Sequence, residues 1–333
     1  MAASTIRGTH DAAFTLEPLS AANLRDIARL WPDRLAFTAA EFDRVLAVAA
    51  RLLATGRAHG TVVRVNEQAC AAGMSIFVRE TFASEYLETP HHQLGKQLLM
   101  NANDAILDLP AIAAGNATTG LQLAIVMTHI DPDVEDRSSA LGLLMQAFLQ
   151  THTGFRIARV IGEIFGAANI ADVRTAGAFE VRSEIPSDPA RATPPSVVIA
   201  LSREGAIAQR SLLLPLFLYN SPRMFFTRGE RDLLSAALDG DTDDGLADRL
   251  GVSVSAVKAR WSRIQQRAAL RHPDLFAHVA SASADRGRGP QVRHLILRYV
   301  RANPSELTPC TPQEHLRAIR STRSAKAVDQ ENG

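Results

Sequence analysis

The chain has 333 residues, 46% hydrophobic and 21% charged, a globular composition that excludes a mostly disordered or fibrous protein. Its longest apolar run, over 212–219, is broken by Pro215 and falls far short of the roughly 20 residues a membrane-spanning helix needs. The 36 basic and 35 acidic residues nearly cancel, yet residues 221–333 hold 18 and 13 of them and the first 220 hold 18 and 22.

A length above that of one ordinary domain predicts two. In chain order, the spacing predicts a helix over about 21–30, ending before Trp31-Pro32. Thr38-Ala39-Ala40-Glu41 is a capping box leading into apolar Phe42, Val45, Leu46, Ala49 and Leu53, with Gly56 closing the helix. The β-branched stretch 61–65 predicts a strand, and 74–78 predicts another that continues extended to Tyr86. The turn Thr89-Pro90-His91-His92 opens a helix through Leu94, Leu98 and Leu99. Residues 121–127 read as a buried strand, 138–150 as a helix and 157–165 as a further helix. Two strands follow at 178–181 and 197–201, separated by the proline-rich loop 186–196. This interleaving predicts a mixed α/β domain over 1–220.

The C-terminal part has a different character. A helix over about 228–238 turns Leu233, Leu234, Ala237 and Leu238 inward and ends at Gly240. Thr242 caps a short helix ending near Leu250, and Gly251-Val252-Ser253 forms a tight turn whose glycine can take positive φ. Ser253 caps a third helix in which Val257, Trp261, Ile264 and Ala268 form the inward stripe. Lys258, Ala259, Arg260, Ser262, Arg263 and Arg267 flank it or face outward. Helix, glycine turn and helix with a basic face is a helix-turn-helix layout, which presents its second helix to a DNA major groove. From Val252 to Ser324 there are 13 basic and 4 acidic residues, which suits a polyanion as well as a solvated surface. Beyond a linker at 281–290, the stripe Val292, Leu295, Ile296, Tyr299 and Val300 predicts an amphipathic helix in an extension over 291–320. That helix either packs on its own domain or pairs two copies of the chain. The tail 321–333 is expected to be disordered.

The stretch 226–269 resembles the LuxR/FixJ-type helix-turn-helix of bacterial transcription regulators. The matching positions are Thr227, Glu230, Asp232 and Leu234, then Gly240, Thr242, Leu246, Ala247 and Leu250, then Val252, Ser253, Val257, Lys258 and Ile264. The resemblance implies that Lys258, Ala259 and Ser262 face bases with Ser255 nearby, and that Thr242, Arg260, Arg263 and Arg267 hold phosphates. Asp241, Asp243 and Asp244 depart from the family pattern and repel an approaching phosphate. The helix-turn-helix of sigma-factor region 4 is similar but ranks lower, because no sigma core-binding region accompanies it.

A second resemblance lies upstream. The strand at 121–127, the acidic turn and then Arg137-Ser138-Ser139-Ala140-Leu141-Gly142 are similar to the acyl-CoA loop of GNAT acetyltransferases, with the segment 171–181 as a later helix and strand. The resemblance implies that Arg137, Ala140 and Gly142 lie at a helix start where backbone N–H groups cradle pyrophosphate. Ala140 stands where the pattern has glycine, and no catalytic base is evident. An ordinary strand-to-helix turn explains the same residues.

The remaining constellations are weak. His91, His92 and His129 with Asp131, Asp133, Glu135 and Asp136 lack a metal-ligand spacing, and Cys70 and Cys310 suffice neither for a disulfide framework nor for a zinc site. There is no Walker loop, Gly-x-Ser-x-Gly or dinucleotide fingerprint. The start of the chain lacks a signal peptide's apolar core. The leading expectation is a cytoplasmic, bacterial, LuxR-family transcription regulator that binds double-stranded DNA, senses a small-molecule effector through its N-terminal α/β domain and performs no chemistry. It pairs as a homodimer if the C-terminal helix is a dimer helix, and no cofactor or metal is expected. The alternatives are an acyl-CoA-binding, GNAT-like transferase or sensor in the N-terminal domain, and a basic module that holds an acidic protein.

Overall fold

The computed structural model describes residues 4–7, 13–31, 37–88, 93–101, 103–188, 194–276 and 288–311. Contacts divide the chain into two compact units, one running to Leu218 and the other from Tyr219 on, with Asn116–Thr118 belonging to the second.

The first unit is built on one sheet. Its strands are β1 (Ser4–Arg7), β2 (Ala13–Pro18), β3 (Ala58–Val65), β4 (Gln68–Val78), β5 (Leu121–Ile130), β6 (Ile157–Phe165), β7 (Glu180–Ile185) and β8 (Ser196–Ser202). They lie in the order β1-β2-β3-β4-β5-β6-β8-β7. Every neighbouring pair is antiparallel except β5 and β6, which run parallel. The helices are α1 (Ala39–Ala54), α2 (Glu80–Glu88), α3 (Leu94–Lys96, continued by a π-helical turn Gln97–Asn101), α4 (Leu109–Ala117), α5 (Arg137–His152), α6 (Ala167–Ala176) and α7 (Arg203–Ala208). No helix among the described residues is long and apolar enough to cross a membrane.

Strand side chains alternate between faces, so neighbouring residues enter different cores. Ile76, Ala124 and Ile161 join the core under α1, α2 and α3, whereas Phe77, Ile125, Val160 and Ile164 join the opposite one. Beside that second core, Ala140, Leu143, Leu144 and Ala147 of α5 pack on Val63 and Ala71. The capping box at Thr38 forms as expected, with Glu41 closing it, and Phe42, Val45, Ala49 and Leu52 are buried.

Several expected elements differ. Residues 157–165 form a central strand rather than a helix, because Val160, Ile161 and Ile164 are buried on both faces and such a run carries no period that separates strand from helix. The extended segment expected to reach Tyr86 stops at Val78; Ala83 and Tyr86, three apart, turn inward from α2. Residues 21–27 are turns before a short 3-10 segment Ala28–Leu30. His91 and His92 lie outside the described residues.

The second unit is helical: α8 (Arg228–Ala237), α9 (Asp243–Leu250), α10 (Val254–Arg271) and α11 (Arg288–Ala302). Thr227, Thr242 and Ser253 each accept a backbone N–H at a helix start. Gly251 takes φ +61° between α9 and α10, a left-handed conformation that glycine adopts at no steric cost. Ile296 and Val300 of α11 are buried in the same core as Leu233, Trp261 and Ile264. Glu306 accepts the N–H groups of Arg223 and Met224 and the hydroxyl of Tyr299, which ties the end of this unit to its start. Of the expected linker, residues 288–290 belong to α11, while the rest of it, residues 312–320 of the extension and the tail 321–333 lie outside the described residues.

Candidate active site

The sheet opens at the parallel pair. The β5/β6 ladder ends at Ile125↔Gly162, after which β5 stays paired with β4 as far as Ile130 and β6 stays paired with β8 as far as Phe165. The cause is an extra residue in β5. Against β4 the register runs Met74↔Met127 and then Ser75↔Ile125, which leaves Val126 as a bulge. A bulge bends its strand and raises the local twist, so β5 leaves β6 at this point. Both Val126 and Met127 consequently enter the core under α3. Gly95 of α3 sits against the Val126 carbonyl, a place where a Cβ would collide with that oxygen.

Two buried polar groups flank the opening, one on each face of the sheet. On the α3 face stands Glu163, 4% exposed, at the first position beyond the ladder. Its carboxylate accepts the Leu94 N–H at 2.7 Å, the Ser196 hydroxyl at 2.7 Å and the Tyr86 hydroxyl at 3.4 Å. Burial and the neighbouring Glu163 push the Tyr86 phenol well above its usual pKa, so it stays protonated.

On the α5 face lies a cavity of about 90 Å3. Its walls are mainly apolar, with Ile125, Ile164, Leu144, Met145, Phe148 and Phe179 prominent, and it is also lined by Ser75, His152 and His59. Ser75 Oγ lies 2.8 Å from His152 Nε2, and His152 Nδ1 lies 2.8 Å from the Phe148 carbonyl. A carbonyl can only accept, so Nδ1 carries the proton and Nε2 accepts the serine hydroxyl. Burial pushes His152 down to about 3 and His59 down to about 4, and the two imidazoles pack edge to face at 5.6 Å. Sequence reasoning missed Glu163, Tyr86, Ser75 and His152. The one signal for Glu163 is a single acid inside the mostly apolar stretch Ile157–Phe165.

The loop expected to cradle pyrophosphate is differently employed. Arg137 opens α5, but its guanidinium is bonded to Asp172 and Asn169 and to the Ile130 carbonyl. Asn169 in turn donates to His129 Nδ1 and to the Phe165 carbonyl, so this network laces the outer ends of β5 and β6. Ala140 is buried in the core under α5, and Gly142 is exposed with open space where a Cβ would stand. The Ser139 N–H is already taken by the Asp136 carboxylate. A negative charge thus caps the helix start where a phosphate would bind.

In the helical unit, Lys258, Ala259, Ser262 and Arg263 are exposed on α10 and Arg260 is half-buried. The other residues expected at DNA are engaged within the chain. Arg267 pairs with buried Glu230 at 3.2 Å, Thr242 caps α9, and Ser255 bonds Ser253 at 2.8 Å. Asp243, in the first turn of α9, holds Arg293. Among the described residues, no three His, Cys, Asp or Glu side chains gather as a metal site.

No protein-family model and no curated protein matches the chain. Solved structures do. The N-acyl amino acid synthase FeeM from uncultured soil microbes is 15% identical over 61% of this chain and 97% of its own, with a TM-score of 0.35. Agmatine N-acetyltransferase is 11% identical over 57% and 99%, with a TM-score of 0.37. Spermidine/spermine N-acetyltransferase SpeG from Vibrio cholerae is 10% identical over 60% and 98%, with a TM-score of 0.35. Each of these is a likeness at a TM-score of 0.37 or less; the mixed α/β class of the N-terminal part rests on the sheet order and single parallel pair described above. The expectation of a LuxR-family, DNA-binding transcription regulator without chemistry of its own finds no support among these matches, which are of proteins named as acyl-transfer enzymes. The physical basis of that expectation weakens as well. Arg267 and Thr242 have partners inside the chain, and the acidic start of α9 opposes a phosphate.

Proposed function

We propose that the N-terminal α/β domain, residues 1–220, is an acyltransferase domain that binds an acyl thioester such as acyl-CoA and passes its acyl group to an amine. The observation that carries this reading is the opening between β5 and β6 beside an apolar cavity. A strand freed from its neighbour presents unpaired backbone N–H and C=O groups, which can hold the amide-bearing arm of a thioester by strand-like pairing. The acyl tail then lies in the cavity under α5, in contact with Leu144, Met145 and Phe148. Since roughly 10–15 Å3 of such space holds one water, the cavity takes a short chain of a few carbons. On the other face Tyr86 and Glu163 form a closed hydrogen-bonded cluster that fixes α2 and α3 against β6.

Arg137 and the α5 start near Ala140 and Gly142 remain the place for the phosphate end of the carrier. Asp136 and Asp172 compete there, so that end contributes little and the acyl tail contributes most. The experiment is calorimetric titration of the full chain with butyryl-CoA, then with Met145→Trp, which fills the cavity. Binding that is lost in Met145→Trp supports the reading. A flat titration of the natural chain removes it.

A further inference from the structure

We propose that Ser75 is a nucleophile that accepts the acyl group covalently, with His152 as its general base. The inference rests on the thioester reading for its substrate, and on geometry of its own for its chemistry. Ser75 lies on β4 directly after the register shift against β5, and it lines the same cavity as the acyl-contacting residues Leu144, Met145 and Phe148. Its Oγ is 2.8 Å from His152 Nε2, within the reach a serine–base pair requires. The base is oriented by a third group, the Phe148 carbonyl one helical turn earlier, which fixes the tautomer that leaves Nε2 free to take a proton. Among the described residues the next partner of the Ser75 hydroxyl is the His59 carbonyl, 3.5 Å away. Glu163 and Tyr86 lie on the opposite face of the sheet, so the pair is independent of them.

The step balances without an added reagent. Ser75 Oγ bonds to the thioester carbonyl carbon as its proton passes to His152 Nε2. The C–S bond then breaks, and the proton leaves with the thiolate as free thiol. An amine or water attacks the resulting acyl-serine, gives its proton to His152, and the ester bond breaks to restore the Ser75 hydroxyl. The first acyl acceptor is therefore the protein.

The test uses the full chain and two probes. Methanesulfonyl fluoride, small enough for the cavity, tests the nucleophile without any carrier; butyryl-CoA with acid quenching tests the acyl-serine. Intact mass and peptide mapping are expected to show one sulfonyl or butyryl group on Ser75, none in Ser75→Ala, and labelling slowed by at least about 100-fold in His152→Phe. The natural chain decides the matter even if a variant fails to fold. No adduct, an adduct on another residue, or undiminished labelling in folded His152→Phe overturns the proposal. Butyryl-CoA that binds without acylating Ser75 sinks this inference and leaves the thioester reading standing. Sulfonylation of Ser75 in a chain that binds no acyl-CoA supports the nucleophile and removes that reading.

Discussion

The two faces of the sheet hold buried polar groups in opposite circumstances. Glu163 on the α3 face is closed in, with a phenol, a hydroxyl and a backbone N–H all directed at one carboxylate. Ser75 and His152 on the α5 face border open space and are hydrogen-bonded to each other at 2.8 Å. The first arrangement fixes where α2, α3 and β8 meet β6. The second leaves a reactive atom facing a cavity. A buried polar group surrounded by donors stabilises, whereas one beside a void is available for chemistry.

That contrast can be broken from either side. The largest effect is expected from Glu163→Ala, which strands the Leu94 N–H and the Ser196 hydroxyl and should cost about 4 kcal/mol in urea unfolding of the full chain. A loss under about 1 kcal/mol would show that the α3-face cluster is not the clamp described.

The next effect comes from pH. His152 titrates near 3 in the folded chain and near 6.5 when unfolded. Below that unfolded value the unfolded chain therefore binds more protons, and stability falls as pH drops from 6.5 towards 4, by about 1.4 kcal/mol per unit for His152 with His59 adding to it. His152→Phe should flatten the slope by about one proton; an unchanged slope would place the buried titration elsewhere.

Ser75→Ala should cost only about 1 kcal/mol, because water in the cavity can replace the lost bond to His152. A cost near that of Glu163→Ala would make the two faces alike and the pair structural. The smallest effect is at the start of α5. Asp136→Asn keeps a cap for the Ser139 N–H while removing the charge, and should strengthen CoA binding by about 0.5–1 kcal/mol, read by calorimetry. Weaker binding would mean that the carboxylate does not oppose the phosphates.

The helical unit was legible residue by residue. Thr242, Ser253 and Gly251 signal starts and a turn through local chemistry, and the inward stripe of α10 follows its 3.6-residue period. What the stripe and the basic face leave open is use, and there the reading towards DNA failed: Arg267 answers to buried Glu230, a partner 37 residues away that no local pattern names. Strand β5 and the capped start of α5 were legible because a strand followed by a capped helix is a local signal. The rest of the candidate site was illegible for a physical reason. Ile157–Phe165 is buried on both faces and shows no single period, so it hid both the parallel pair and Glu163. Ser75 and His152 come together where the end of the sixteen-residue helix α5 packs on β3 and β4, a contact made across 77 positions.

The most direct test of the central claim is calorimetry of the full chain against acetyl-, butyryl-, hexanoyl- and octanoyl-CoA. A cavity that holds the acyl tail predicts affinity rising by about 0.8 kcal/mol per added methylene, roughly fourfold, until the space is filled, and then falling. Equal affinity at every chain length, or no binding to any of them, would contradict it.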